Sequence, residues 1–254
     1  MVPPPAQPRA ILITGASSGI GQALAEGYAA PGVFLALSGR DPARLNSVAA
    51  TCRERGAQVE PAVVDVADRD AMERWLGAID DRQPLDLVVA NAGIPLADDS
   101  DDAVHVLFAV NVGGILNTVL PIIPRFKRRG RGQIAVMSSL AGLRGLPSTP
   151  AYSASKNAVR AWGEALRGRL AADGIRVTVI CPGFVESRIT ARNRFPMPFL
   201  ITADKAARIV IRGLARDKAR IAFPWPMAMS AGLIAILPPA LGDWLLTRLP
   251  FKEQ

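Results

Sequence analysis

A tyrosine and a lysine stand four residues apart, at Tyr152 and Lys156, in a segment with helical periodicity. At this spacing the two side chains share one face of a helix. An ammonium group close to a phenol stabilises the phenolate and lowers the phenol pKa, so the tyrosine can exchange a proton nearer to neutral pH. The pair predicts acid–base chemistry, although an amphipathic helix of another function can contain the same spacing.

Two further polar positions can complete such a site. Ser138 and Ser139 end a predicted strand, and a hydroxyl at that edge can hydrogen-bond a substrate carbonyl. Asn111 lies in a long helical segment next to Gly113 and Gly114. Glycine inside a helix is unfavourable, so we expect close packing or a local irregularity there. Asn111 is either part of the site or an ordinary core amide with satisfied hydrogen bonds.

A glycine-rich segment at residues 14–21 reads T-G-x-x-x-G-x-G, between an apolar run and a helical pattern. Glycine permits a sharp turn and a close approach of the backbone to a pyrophosphate. The helix that follows offers free N–H groups and the positive end of its dipole. The candidate cofactor-binding residues here are Gly15, Ser17, Ser18, Gly19, Ile20 and Gly21. The alternative is a tight turn with a structural role only.

The second predicted strand ends in Ser38-Gly39-Arg40. In a dinucleotide-binding unit, an acidic residue at the position of Gly39 binds the adenosine ribose hydroxyls. Arg40 can instead hold a 2′-phosphate through charge-assisted hydrogen bonds. This pattern favours NADP(H) over NAD(H), the alternative being a solvated arginine at a strand end.

The third and fourth predicted strands also end in candidate cofactor residues. Asp65 and Val66 follow the third strand, where the carboxylate could meet an adenine amino group. Asn91, Ala92 and Gly93 follow the fourth. Ligands of open α/β sheets bind at the carboxyl edge of the strands, so we expect these residues to converge there.

Strand and helix patterns alternate along the chain, which predicts a parallel sheet with helices on both faces. The predicted strands are 10–14, 33–38, 59–65, 85–90, 133–138, 175–181 and 219–223. The predicted helices are 19–30, 41–55, 68–80, 99–129, 151–172 and 202–217, with Asp41 as an N-cap and a break near Pro121 and Pro124. We predict a disordered lead at 1–9, one catalytic domain at 10–224 and an apolar extension at 225–254.

Taken together, these motifs resemble the short-chain dehydrogenase/reductase family over residues 10 to about 190. The resemblance also includes Pro182 and Gly183. It implies a Rossmann-type α/β fold with seven parallel strands in the order 3-2-1-4-5-6-7, and a homodimer or homotetramer. One departure is mild: the family often has Asn where Ala90 precedes Asn91.

The resemblance also implies a role for each site residue. Tyr152 would be the acid in reduction and the base in oxidation, and Lys156 would lower its pKa and hold the nicotinamide ribose. Ser139 would orient the substrate carbonyl, with Ser138 the weaker choice, and Asn111 would hold a water. The residues implied to line the nicotinamide side are Pro182, Gly183, Phe184, Val185 and Ser187, the last in place of a usual Thr.

Composition narrows the function classes. The chain has 254 residues, of which 50% are hydrophobic and 20% charged, which excludes intrinsic disorder. One His and two separated Cys exclude a disulfide scaffold and offer no zinc-ligand spacing, so no metal is expected. The N-terminus lacks the pattern of a signal peptide, so we expect a cytoplasmic protein.

The net charge of +8 belongs to residues 1–220, because the charges of 221–254 cancel. Residues 221–242 carry no charge, and Trp225 and Trp244 lie near the ends of this apolar region. Its four prolines argue against a membrane-spanning helix. Three roles stay open for this apolar region: a subunit interface, a substrate cover, or a peripheral contact of 225–246 with the inner membrane surface.

Residues 188–200 are expected to form a lid over the substrate, or an ordinary packed loop.

Two functions from different classes remain. The first is NADPH-dependent reduction of the carbonyl of an apolar small molecule, or the reverse alcohol oxidation. The second is a non-catalytic regulator or scaffold that binds the cofactor. The complete set of Asn111, Ser139, Tyr152 and Lys156 favours the enzyme. A nucleic-acid partner would account for the charge, but the sequence contains no recognisable binding module, so none is expected.

Overall fold

The computed structural model describes residues 8–95, 100–187, 190–192 and 196–248. Seven strands form one sheet in the order β3-β2-β1-β4-β5-β6-β7, and every neighbouring pair is parallel. The strands are β1 (Ala10–Thr14), β2 (Phe34–Gly39), β3 (Gln58–Val63), β4 (Leu87–Ala90), β5 (Gly132–Met137), β6 (Ile175–Pro182) and β7 (Arg220–Phe223). The predicted Rossmann-type sheet and its strand order are confirmed.

Helices cover both faces of the sheet, and the last two follow β7 instead of connecting strands. They are α1 (Gly19–Tyr28), α2 (Pro42–Glu54), α3 (Arg69–Arg82), α4 (Asp101–Phe108), α5 (Gly114–Val119), α6 (Ile123–Arg129), α7 (Pro150–Leu170), α8 (Ala203–Ala215), α9 (Trp225–Ile236) and α10 (Pro239–Leu246). Asp41 caps α2 as predicted, since its side chain accepts a hydrogen bond from the N–H of Arg44 at 3.0 Å.

Two apolar layers hold the helices to the sheet. On one face, α1, α2 and α8 bury residues such as Leu24, Leu45 and Val210 against the strands. On the other face, α3, α5, α6 and α7 do the same, with Phe126 as the largest fully buried side chain. Burial on both faces accounts for the nearly uninterrupted apolar runs of the strands.

The segment predicted as one helix at 99–129 is divided. A π-helical turn, Ala109–Gly113, joins α4 to α5, and a turn at 120–122 containing Pro121 separates α5 from α6. Gly114 packs so closely that a Cβ there would lie 2.6 Å from Cγ2 of Val66. The expected irregularity and close packing are thus both observed. The segment is long and apolar enough to cross a membrane, and 44% of its most apolar window is buried, with Ile115, Val119 and Phe126 in the core.

Some predicted boundaries were wrong by one or two residues. β3 ends at Val63, so Asp65 and Val66 lie in the loop after it. There the Asp65 carboxylate accepts the N–H of Ala67 at 2.9 Å, a local turn that competes with strand pairing. β5 ends at Met137, which places Ser138 and Ser139 directly after the strand.

The predicted lead and lid fall partly outside the described residues. Residues 1–7 lie outside them, as do 188–189 and 193–195 within the lid. In the described part of the lid, Phe199 and Leu200 are exposed, and Val185 pairs with Ile201 in an isolated parallel bridge. The region after β7 folds into α9 and α10, which the sequence pattern did not predict.

Candidate active site

The loop between β1 and α1 requires glycine at three positions. Gly15 and Gly19 have φ of +66° and +58°, a region in which other residues are strained. Gly21 has an ordinary φ, but a Cβ there would lie 2.5 Å from Nδ2 of Asn91. The T-G-x-x-x-G-x-G spacing is therefore set by the shape of this loop.

Asn91 and Thr14 brace the glycine loop from the neighbouring strand. The Asn91 amide Nδ2 donates to the carbonyls of Thr14 at 2.9 Å and Gly15 at 3.2 Å. The Thr14 hydroxyl accepts the N–H groups of Asn91 and Ala92, each at 3.1 Å. These contacts of Asn91 and Ala92 stabilise the loop, and their predicted contact with the cofactor stays a prediction.

The start of α1 fits a pyrophosphate. Ser18 is the N-cap residue, and its hydroxyl caps no backbone N–H among the described residues. The first turn of α1 contains no acidic residue, so its N–H groups and dipole favour an anion. Ser187 lies close by, since a Cβ on Gly19 would be 3.2 Å from the Ser187 Cβ. Ile20 is partly buried and packs into the core, so it anchors the helix.

The end of β2 lies next to this loop. Gly39 faces Ser17 so closely that a Cβ there would lie 3.0 Å from the serine Oγ. Arg40 is exposed directly after the strand. The carboxylate that follows, Asp41, pairs with Arg44 at 2.9 Å and caps α2. The geometry leaves Arg40 accessible at the position where its charge was predicted to act.

Lys156 is almost completely buried, with 3% of its surface exposed. Its Nζ donates to the carbonyl of Met137 at 3.2 Å and lies 5.8 Å from the centre of the Tyr152 ring. Burial lowers the pKa of Lys156 from its ordinary 10.5 to about 8. The predicted proximity of the two side chains on α7 is observed.

The direction predicted for the tyrosine pKa was wrong. Burial of the phenol raises the pKa of Tyr152, although part of the residue is accessible, and a hydrogen bond with Ser139 opposes this shift. Burial disfavours the charged phenolate, and the ammonium of Lys156 lies over the ring and bonds Met137. The phenol is therefore held in its protonated form.

The two serines after β5 have different partners. Ser138 is buried, and its hydroxyl donates to the Lys156 carbonyl at 2.7 Å. The Ser139 hydroxyl donates to the Pro182 carbonyl at 3.4 Å, accepts the N–H of Ala141 at 3.1 Å, and lies close enough to the phenol to oppose the rise in the pKa of Tyr152. This geometry favours Ser139 as the group that meets a substrate, with Ser138 fixing the backbone of α7.

Asn111 lies in the π-helical turn and is fully buried. Its Oδ1 accepts the N–H of Ile94 at 2.8 Å, and its Nδ2 donates to the Ile94 carbonyl at 3.0 Å and contacts the Ser155 hydroxyl at 3.3 Å. A Cβ on Gly93 would lie 3.0 Å from Lys156 Nζ and 3.1 Å from Asn111 Oδ1. Asn111 is thus a satisfied core amide that also flanks the lysine, and its water-holding role stays a prediction.

The turn after β6 completes the site. The N–H of Gly183 donates to the Phe223 carbonyl at 2.7 Å, which joins the predicted nicotinamide side to the end of β7. Pro182 and Val185 are buried, and Ser187 hydrogen-bonds Thr190. After β3, Asp65 is exposed, and Val66 is buried in a cluster against which Ala92 and Ile94 pack.

Sequence reasoning missed three residues that shape the site. The hydroxyl of Thr14 was visible in the glycine motif but was not assigned its bracing role. Ser155 links Asn111 to α7, because its hydroxyl also donates to the Tyr152 carbonyl at 2.7 Å. Arg144 contacts residues far along the chain, and no local pattern could have identified it.

Comparisons with known proteins agree with this architecture. The short chain dehydrogenase family model matches residues 9–196. An uncharacterized oxidoreductase of Myxococcus xanthus is 39% identical over 246 residues, covering 95% of this chain and 97% of the relative. A short-chain dehydrogenase from Sphingobium yanoikuyae in complex with NADPH has a TM-score of 0.80 at 25% identity, covering 96% of this chain and 98% of that one. A short-chain dehydrogenase from Mycobacterium paratuberculosis bound to NAD has a TM-score of 0.76 at 26% identity, covering 87% and 98%.

The family match spans the glycine loop, the tyrosine–lysine helix and all strands up to β6. The similarity to the Myxococcus relative extends over nearly the full length of both chains. The order of the seven strands is the one that the motifs implied. The chain therefore belongs to the short-chain dehydrogenase family and is an oxidoreductase with a Rossmann-type nucleotide-binding fold.

Proposed function

We propose that this protein reduces the carbonyl of an apolar small molecule with NADPH, and catalyses the reverse alcohol oxidation. The observation that carries the proposal is the grouping of Ser139, Tyr152 and Lys156 at the carboxyl end of β5, beside a loop shaped for a pyrophosphate. When bound, the cofactor supplies a hydride for the carbonyl carbon. The residues of the chain must then hold the carbonyl oxygen and deliver a proton to it.

Ser139 and Tyr152 have the geometry for these two tasks. The serine hydroxyl lies beside the phenol, so a carbonyl oxygen that binds between them can accept a hydrogen bond from each. The raised pKa keeps the phenol protonated at neutral pH, which is the form that a general acid needs. As the proton leaves, the buried charge of Lys156 favours the phenolate electrostatically.

The preference for NADPH rests on Arg40. Its guanidinium is accessible at the end of β2, and Gly39 provides no carboxylate for a ribose. The NADPH complex of the Sphingobium relative supports this choice, while the NAD complex of the Mycobacterium relative supports the competing one. Comparing the affinities of the two cofactors for the wild type and for Arg40→Ala decides between them.

An apolar substrate is supported by the surroundings of the Ser139 hydroxyl. Leu140 and Leu143 follow it and pack into or against the apolar core. Met227 reaches the same region from α9, close to Gly183. Leu140 is buried, whereas Leu143 and Met227 are partly exposed and can offer apolar contact to the part of a substrate next to its carbonyl.

The competing proposal is a cofactor-binding regulator or scaffold without chemistry. A panel of ketones, 3-oxoacyl thioesters, steroids and retinoids, followed by the absorbance of reduced nicotinamide, tests for turnover. Tyr152→Phe removes the proton donor and keeps the ring, so we expect turnover to fall by at least about 100-fold with NADPH binding near normal. Unchanged turnover would refute the catalytic assignment. A wild type that binds NADPH and reduces nothing favours the regulator.

We also propose a cytoplasmic homodimer or homotetramer. The family is often oligomeric, and light scattering of the purified chain measures its oligomeric state directly.

We also propose peripheral membrane contact through 225–246, which is supported by one apolar row on α9. Trp225, Met229, Leu233 and Ile236 recur at helical spacing, and each exposes more than half of its surface.

A further inference from the structure

Arg144 links the candidate active site to the C-terminal helices. It follows the turn that begins after Ser139, and only 17% of its side chain is exposed. Its Nη1 donates to the carbonyls of Ile234 at 3.2 Å and Leu237 at 2.9 Å. Its Nη2 donates to the carbonyl of Pro239 at 3.2 Å. A single guanidinium therefore contacts the end of α9 and the beginning of α10.

These contacts have a clear physical basis. The carbonyls of Ile234 and Leu237 lie at the end of α9, at the negative end of its dipole, where a cation with several donors is favoured. Pro239 is the first residue of α10, so its carbonyl adds a hydrogen bond without this dipole effect. The ion pair of Arg144 with Asp243 contributes little, because the atoms are 3.5 Å apart and Asp243 is 70% exposed. The carbonyl hydrogen bonds therefore join α9 and α10 to the segment after Ser139, in addition to the apolar packing of Met227, Ala228 and Ala231 against the core.

The first turn of α9 reaches the predicted nicotinamide side of the site. A Cβ on Gly183 would lie 3.1 Å from Sδ of Met227 and 3.2 Å from Cδ1 of Leu140. Leu140 directly follows Ser139, whose hydroxyl lies 3.4 Å from the Pro182 carbonyl. Helix α9, the turn after β6 and the Ser139 segment thus meet at one place.

We propose that Arg144 is a positioning residue for substrate binding, which holds α9 and α10 as the substrate-side wall of the active site. In this arrangement Met227 contacts the apolar group next to the substrate carbonyl. The inference deepens the proposed reductase function and rests on it. It assigns recognition of the apolar substrate to the C-terminal helices rather than to the lid alone.

Two glycines provide a matched pair of variants. A Cβ on Gly242 of α10 would overlap the guanidinium of Arg144, lying 2.8 Å from its Nε and closer still to other atoms. A Cβ on Gly232 of α9 would meet no atom of the described residues within 4 Å. Alanine favours a helix over glycine at both positions, so helix propensity alone predicts the same small benefit for both. A difference in activity or hydrogen exchange between Gly242→Ala and Gly232→Ala therefore reports on the displacement of Arg144.

The first experiment measures steady-state kinetics with NADPH on a reducible apolar ketone. For Gly242→Ala and Arg144→Gln we expect KM for the ketone to rise by about 10-fold or more, the effect of a displaced pocket wall. The NADPH dissociation constant and kcat change little, because the cofactor loop and the tyrosine are untouched. Gly232→Ala should match the wild type. Arg144→Lys keeps a positive charge and one ammonium group but lacks the planar guanidinium, so we expect its KM to lie between those of the wild type and Arg144→Gln.

The second experiment measures amide hydrogen exchange in the same proteins with no substrate. Faster exchange confined to α9 and α10 in Gly242→Ala and Arg144→Gln supports the link, and unchanged exchange overturns it. A raised KM together with wild-type exchange also overturns it. If kcat falls while KM and the NADPH dissociation constant both rise by similar factors, the variant is generally destabilised, and this result contradicts a positioning role.

The two proposals fail in distinguishable ways. If the wild type reduces no carbonyl, the reductase proposal fails, while hydrogen exchange still reports on the Arg144 link. If the wild type is active, Met227→Ala tests the wall, since it enlarges the pocket without touching Arg144. We expect it to shift preference towards ketones with a bulkier apolar group, and an unchanged preference refutes the wall.

Discussion

Replacing Lys156 with methionine removes a buried ammonium and keeps a long unbranched side chain. Burial lowers the lysine pKa from 10.5 to about 8, so the folded protein holds this proton less tightly than the unfolded chain does. One pKa unit corresponds to about 1.4 kcal/mol, so a buried charge at neutral pH costs the folded state about 3 kcal/mol. The substitution removes this cost.

Lys156→Met also removes a hydrogen bond, and this loss partly offsets the stability gained by removing the buried charge. The hydrogen bond from Lys156 Nζ to the Met137 carbonyl is 3.2 Å long and has a charged donor, so it contributes about 2 kcal/mol. We therefore expect Lys156→Met to raise the free energy of unfolding of the cofactor-free protein by about 1 kcal/mol at pH 7. Carbonyl reduction should fall at the same time, because the charge that favours the phenolate is gone. Such an opposition between stability and activity is typical of functional sites.

The pH dependence of the stability difference shows whether the buried lysine charge causes it. Below about pH 8 the lysine is charged in both states, and the full cost applies. Between pH 8 and 10.5 the unfolded chain binds more protons than the folded protein, so wild-type stability rises with pH relative to the variant. The stability difference should therefore shrink across this window. Other titrating groups are common to both proteins and cancel in the difference.

Urea denaturation at pH 7, 8.5 and 10 measures these quantities. Lys205→Met is a matched control, because Lys205 is exposed on α8 and its replacement should change stability by less than about 0.5 kcal/mol. If Lys156→Met is less stable than the wild type at pH 7, or if the difference does not vary with pH, the burial argument is refuted.

Three further predictions address the cofactor, the packing and the C-terminal helices. Arg40→Ala should weaken NADPH binding by about 10-fold or more in fluorescence titrations and leave NADH nearly unchanged, because a charge-assisted contact is lost; equal effects would exclude the phosphate role. Gly114→Ala places a Cβ 2.6 Å from Val66 Cγ2, so thermal or urea unfolding should show a loss of about 1–3 kcal/mol, against the gain that helix propensity predicts. Leu233→Glu puts a charge into the exposed apolar row of α9 and should abolish flotation with anionic vesicles; a wild type that does not float contradicts membrane contact.

Several features of the site were predictable because they depend on local patterns and on a general property of parallel sheets. Alternating strands and helices bring all the strand ends to one edge, so Ser139 and the glycine loop had to lie on the same side. The i, i+4 spacing placed Tyr152 and Lys156 together. Mid-helix glycine predicted the irregularity that the structure shows as a π-helical turn.

Other features were decided by contacts between distant parts of the chain. The amide of Asn91 donates to the glycine loop, 76 residues earlier, so it braces that loop, a role that no local pattern contains. The pKa of Tyr152 depends on how deeply the phenol is buried, a quantity that residue spacing does not contain. For this reason the predicted direction of its shift was wrong.

The sequence by itself determined the family, the strand order and which residue types meet at the carboxyl edge, because motif spacing and strand polarity are properties of the chain. Only the tertiary structure decided the electrostatic state of the site and the place of the C-terminal helices. Arg144 contacts carbonyls 90 to 95 residues further along the chain. Backbone carbonyls are present at every residue, so only folding selects which of them a buried guanidinium binds.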